Sequence, residues 1–229
     1  LQRLTPSIKR VEPKHLGNIM ATDSDETARS HAMADRFLAL KKQLRSETDR
    51  GAVIVAAALL EDTLEHMLSA RLVPSPERDD ELFSGPYAPL STFSAKIDFA
   101  YRIGLIRLSV RSSLHLLRKI RNEFAHSAME GSFESQSVSS RLRELFKLNK
   151  TVFEAIHEDI VSEVPELSMV FDSAERKEAA ERLVNLIGRR GVFDLLISLT
   201  AAALNDLPND ISPLEQIWEH AKMTDKGSI

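Results

Sequence analysis

Between about Asp25 and Arg45, Met33, Phe37, Leu40 and Leu44 recur at spacings of four, three and four while polar residues fill the positions between. That period places them along one stripe of an amphipathic helix, expected over 27–46. A second helix is expected over 49–71 with Asp49 as its N-cap. Its first half, GAVIVAAALL, is apolar all round, so other helices must enclose it. Its second half, EDTLEHML, is acidic. Pro74, Pro76, Gly85, Pro86 and Pro89 then interrupt the chain over sixteen residues, which predicts a structured loop. Ser91 opens a third helix over 91–103, Gly104 punctuates it, and a fourth runs over 107–126.

Beyond His126 the segment SAMEGSFESQSVSS is small and polar and reads as a flexible connection. Helical pattern resumes over 139–164 and is stopped by Pro165. Further helices are expected at roughly 173–188, 192–206 and 212–223, separated by Gly188 and Gly191 and by Pro208 and Pro213. Strand signals are nearly absent, and no repeat or sustained heptad is visible. The expected fold class is therefore all-α: a flexible N-terminal segment over 1–24, a helical bundle over 25–167 and a helical C-terminal extension over 168–229.

Composition narrows the function classes. A chain of 229 residues suits one domain, or one with an appendage. Thirty Lys and Arg against 34 Asp and Glu give a formal charge of -4, so no global positive field favours nucleic acid or an anionic membrane, and any such binding must be local. The absence of cysteine excludes disulfides, thiolate zinc sites, iron–sulfur clusters and cysteine nucleophiles, and fits a reducing, cytoplasmic setting. The longest apolar run, Ala52 to Leu60, is nine residues, where a bilayer span needs about 18–20. The first twenty residues carry no apolar signal-peptide core.

The fourth helix holds the strongest chemical signal. Arg107, Arg111, Arg118, Lys119 and Arg121 follow one another with no intervening acid. At about 100° per residue, Leu117, Ile120 and Phe124 share one side, while His115, Arg118, Asn122 and His126 share the opposite one. An apolar stripe thus backs a cationic one. Such a face suits RNA or phosphate, with arginine holding the phosphate and histidine moving a proton near neutral pH; His115, Arg118 and Lys119 are the candidate phosphate contacts. It equally suits an ordinary solvated helix face, with His126 at a C-terminal turn where a cationic imidazole complements the macrodipole. Arg121 and His126, five residues apart, are separated by about 140° around a straight helix. One narrow pocket can use both only at a helix end or bend, or across a symmetric dimer in which each cleft draws on both copies.

In the second helix Glu61, Asp62, Glu65 and His66 cluster over two turns. Asp62 and His66 stand at i, i+4, a metal-compatible spacing that lacks third and fourth ligands, so no metal or other cofactor is expected. These acids are expected to pair with the basic fourth helix. There is no Gly-rich phosphate loop, G-x-S-x-G elbow or H-E-x-x-H motif. A helix-turn-helix could arise only around Ile103-Gly104-Leu105. The following helix is too long and too committed to an apolar stripe for that motif, which argues against sequence-specific DNA reading.

Three strings, RGAVIVAAALLEDTLEHML (Arg50 to Leu68), LFSGPYAPLSTFSAKIDFAYRIGLI (Leu82 to Ile106) and LLRKIRNEFAHS (Leu117 to Ser127), resemble the mannitol operon repressor family over about Ala28 to Leu167. The resemblance implies an all-helical regulator without a DNA-binding motif, acting through protein partners. The RNEFAH string also resembles the R-x(4-6)-H motif of HEPN domains, helical modules that often act as metal-independent endoribonucleases in a dimer cleft. That resemblance implies a homodimer in which Arg121 stabilises the phosphate, Asn122 positions it and His126 serves as acid or base when the 2′-OH attacks. A buried Asn122/His126 pair closing the helix end is the structural alternative. Two functions therefore stand open: a partner-dependent transcriptional regulator and a HEPN-like ribonuclease of toxin or defence type.

Overall fold

The computed structural model describes residues 23–126, 131–149, 176–207 and 211–215. Among them the regular structure is entirely α-helical: α1 (Asp23–Ser46), α2 (Asp49–Arg71), α3 (Phe93–Arg102), α4 (Leu108–His126), α5 (Gln136–Leu148) and α6 (Arg176–Asp206). The expected flexible segment falls mostly on residues outside those described. So do the second half of the helix expected over 139–164 and residues 216–223.

The α1 stripe holds: Phe37, Leu40 and Leu44 are buried and Met33 packs against the core. Thr48, one residue before the expected cap, is the N-cap of α2; its Oγ1 accepts from the Gly51 N–H at 3.1 Å, leaving the Asp49 carboxylate for another role. Helix α2 packs against α1, α3, α4 and α6. Ala52, Val53, Ala56, Ala57 and Leu60 are buried, but Ile54 is 43% exposed, so the enclosure of its apolar half is incomplete.

The proline-rich stretch is a built loop. The Asp80 carboxylate accepts from the Leu82 N–H (2.9 Å), its carbonyl accepts from Phe83 and Ser84, and Leu90 donates back to the Leu82 carbonyl (2.8 Å). Phe83 and Leu90 anchor it in the core. Thr92 rather than Ser91 caps α3, accepting from the Ala95 N–H. Gly104, at φ 78°, turns the chain where a side chain would be strained, and the Leu105 N–H closes the helix on the Ala100 carbonyl.

Two expectations after α4 are corrected. Residues 131–135 are pinned, because buried Phe133 stacks between Phe124 and Phe193 with centroids 5.0 and 5.1 Å apart. Gly131 passes so close to Phe124 that a Cβ would lie 2.6 Å from the ring. Ser135 then caps α5, which begins at Gln136 rather than 139 and ends at Leu148. It ends there because buried Asn149 donates through Nδ2 to the Leu145 carbonyl (2.8 Å) and to Ser113 Oγ (2.9 Å), while Thr200 donates to its Oδ1 at 3.5 Å. One amide thus ties α4, α5 and α6.

Helix α6 breaks at Gly188 (φ 72°), as its glycine predicts, whereas Gly191 lies within the helix, packed on Ile187. Beyond the break, Val192 to Leu204 supply nine apolar residues to the same core as α1–α5. This part of the expected extension packs against α1, α2 and α5. Residues 211–215 are not helical, although 212 was expected to begin a helix; Leu214 donates to the Arg71 carbonyl and Arg71 Nη1 to that of Ser212. Among the described residues no helix is long and apolar enough to cross a membrane.

Candidate functional site

Helix α4 is held by one face. Leu114, Leu117, Ile120 and Phe124 are buried, so the helix cannot rotate and the opposite face is fixed outward. At its N-terminal half this outward face is already engaged. The Asp98 carboxylate of α3 accepts from Arg111 (Nε 2.8 Å, Nη2 2.6 Å) and from His115 Nε2 (3.1 Å). The His115 hydrogen bond and the Arg111 contacts hold the Asp98 carboxyl below its ordinary range against the opposing effect of burial. Arg111 also stands over the Tyr101 ring at 5.5 Å. His115, a candidate phosphate contact, is thus committed to a carboxylate.

The acids of α2 do not pair with α4. Glu61 (3.3 Å) and Glu65 (2.8 Å) both pair with the buried Lys96 of α3. Burial would lower the Lys96 pKa, but the hydrogen bond to Glu65 and the charges of both glutamates outweigh it and raise it. Asp62 and His66 meet each other, Nδ1 to Oδ2 at 3.4 Å, on the exposed side of α2. Among the described residues no group of three or more potential ligands gathers to hold a metal.

The C-terminal half of α4 differs. Among the described residues the side chains of Arg118, Lys119, Arg121, Asn122 and His126 make no hydrogen bond or ion pair. Arg118, Arg121 and Asn122 are half-buried, Lys119 and His126 are exposed, and Arg118 Nε is buried without an acceptor. The Asn/His pair that would close the helix end by bonding inward is therefore not formed. The one acid in this half, Glu123, is turned away to α5, where it accepts from Ser135 Oγ (3.2 Å), Ser137 and Arg141. Burial would raise its carboxyl; the bonds from Ser137, Arg141 and Ser135 outweigh that and hold it below its ordinary range. It stays ionised and occupied, leaving the cations beside it unneutralised.

His126 is the last residue of α4, and its side chain is exposed there. One neighbour has no signature in the sequence. Arg50, at the start of α2, donates through Nη2 to the Ala125 carbonyl at 2.9 Å. The end of α4 thus carries half-buried Arg121 and Asn122 and exposed His126 from one helix, with exposed Arg50 of another bonded to its last turn.

Comparison with family models, with curated proteins and with solved structures finds no match to this chain.

Proposed function

We propose that this chain is a metal-independent endoribonuclease whose site is the C-terminal end of α4. The observation that supports it most is the contrast along one helix. Arg111 and His115 are engaged by Asp98, and Glu123 by α5, whereas among the described residues the side chains of half-buried Arg118, Arg121 and Asn122 and of exposed His126 make no hydrogen bond or ion pair. A purely structural use of these side chains would satisfy them internally.

In this reading Arg121 binds the scissile phosphate and stabilises the charge of its pentacoordinate transition state, while Asn122 orients it. The 2′-oxygen attacks phosphorus as its proton leaves to a base. The P–O5′ bond breaks, and the 5′-oxygen takes a proton from an acid, giving a 2′,3′-cyclic phosphate and a free 5′-hydroxyl. The exposed imidazole of His126 carries one of these proton transfers, as base or as acid. A second copy apposed on this face supplies the other, which is why the reading includes a homodimer. The resemblance of RNEFAH to the HEPN motif supports the same assignment. The test is cleavage of bulk RNA in EDTA by wild type, with Arg121→Ala and His126→Ala inactive at unchanged melting temperature.

A second reading, regulation through a protein partner, is favoured by a different feature. The loop between α2 and α3 surrounds a concavity of about 810 Å³ in which Tyr87 is 95% exposed, flanked by Val73, Leu82 and Pro86 and by the carboxylates of Glu77 and Glu81. An exposed aromatic on an ordered loop beside free carboxylates suits a basic peptide carrying an apolar anchor. The strings that resemble the mannitol operon repressor family support this reading. Loss of binding to a cationic peptide array on Tyr87→Ala, with the fold intact, is its test.

A further inference from the structure

We infer that Arg50 is a phosphate-binding residue of the α4 site and the group that positions His126; the inference rests on the ribonuclease reading for the chemistry but not for the binding.

The carbonyl that accepts from Arg50 belongs to Ala125, and its peptide group contains the backbone nitrogen of His126. That peptide group is planar, so fixing its carbonyl fixes the point from which the His126 side chain departs. The carbonyl is also one of the last four of α4, which have no acceptor role inside the helix, and a guanidinium complements the negative end of the macrodipole. Only Nη2 is used: the guanidinium makes no ion pair among the described residues, and Arg50 is exposed. Arg190, just past the break in α6, behaves differently: it spends its guanidinium on two carboxylates and two carbonyls, and one of those carboxylates belongs to Asp49, the residue before Arg50.

Ala125 is four residues after Arg121, so the two share a flank of α4 about 6 Å apart along its axis. Arg50, bonded to the Ala125 carbonyl, therefore lies at the end of α4 near the flank that carries Arg121. Position 125, whose carbonyl holds Arg50, falls within the arc of about 140° between Arg121 and His126. A phosphodiester lying across the helix end meets Arg121, Arg50 and the imidazole in turn. The substrate class is single-stranded RNA, whose backbone can follow such a short cationic row.

Arg50→Gln removes the charge and keeps a shorter side-chain N–H donor, and Arg50→Ala removes both. Wild type and both variants are compared by thermal melting, by kcat and KM on a single-stranded RNA oligonucleotide in EDTA, and by affinity for its non-cleavable 2′-O-methyl analogue across a salt series. Arg50→Gln is expected to melt with wild type, bind the analogue about tenfold more weakly and show a salt slope shallower by about 0.7. Its KM should rise with little change in kcat, whereas Arg50→Ala, which also releases the peptide before His126, should lose kcat as well. If wild type cleaves and Arg50→Gln matches it in KM, affinity and salt slope, Arg50 is only a helix cap and the inference falls while the ribonuclease reading stands. If wild type binds the analogue through Arg50 yet cleaves nothing, the reading falls while the phosphate contact stands. Absence of both binding and cleavage overturns both.

Discussion

Arg190 is the charged side chain whose removal the fold should tolerate least. Its Nε donates to Asp194 (2.9 Å), Nη1 to Asp49 (2.7 Å), and Nη2 to the carbonyls of Leu44 (2.5 Å) and Glu47 (3.2 Å). It also stands 5.8 Å from the centroid of the Phe133 ring. One guanidinium therefore joins the end of α1, the start of α2 and the second half of α6. The Asp49 arm contributes little, since that carboxylate is 48% exposed. The weight falls on Asp194, whose side chain is 6% exposed and which Arg190→Ala would leave buried without its cation. Removing one member of such a pair costs about 3–5 kcal/mol; with Arg190 itself 22% exposed, the lower end, about 3 kcal/mol, is expected. For a chain of this size that is about 6–12 °C in melting temperature.

The deficit should depend on pH. Burial raises the Asp194 carboxyl above its ordinary 3.8, with Arg190 opposing, and losing Arg190 raises it further. A raised folded-state pKa favours the protonated native protein, so the variant's relative stability is greatest in acid and falls as pH rises through that value. Denaturant melts at pH 5 and 8 of wild type, Arg190→Ala, Asp194→Ala and the double variant form the assay. A loss below about 1 kcal/mol, or one that Asp194→Ala does not relieve, would refute the reasoning.

Three other outcomes follow from the packing. Asn149→Ala should lose about 2–3 kcal/mol in denaturant melts, because it removes the donor to the buried Ser113 oxygen and opens a gap where three helices meet. Phe133→Ala should lose about 3–5 kcal/mol, a value a slack connection would not give. Asp98 and Glu123 both have lowered folded-state pKa values, so their stabilisation is complete above the ordinary values of 3.8 and 4.5 and is lost as pH falls below them. Asp98→Asn should therefore flatten the acid limb of stability against pH, measured by circular dichroism between pH 2 and 5.

Periodic features were legible in the sequence. The stripe Met33, Phe37, Leu40, Leu44 and the core face of α4 follow from spacing alone, and Gly104 and Gly188 mark the breaks they make. Caps were displaced by one residue at Thr48 and Thr92 because each has a neighbour, Asp49 or Ser91, of equal capping chemistry; only backbone geometry chooses between them. Phe133 was missed because a lone aromatic among serines and glycine has no period, and its worth lies in rings from α4 and α6. The end of α5 was missed because Asn149 breaks no pattern by itself; its partners come from 36 and 51 residues away. The acids of α2 were visible but their partner Lys96 was not, since pairing across helices is tertiary information. In the site, Arg121, Asn122 and His126 stood out by motif, whereas Arg50, one arginine at a helix start, gave no signal before the Ala125 carbonyl was seen to accept from it.

The central claim is that the end of α4 cleaves RNA without metal. Purified wild type and His126→Ala, incubated with bulk RNA in EDTA beside thermal melts of both, test it most directly. The account expects fragments ending in 2′,3′-cyclic phosphate from wild type alone, at equal melting temperatures, since exposed His126 bonds to nothing the fold needs. Intact RNA with a well-folded wild-type protein, or equal cleavage by His126→Ala, would contradict it.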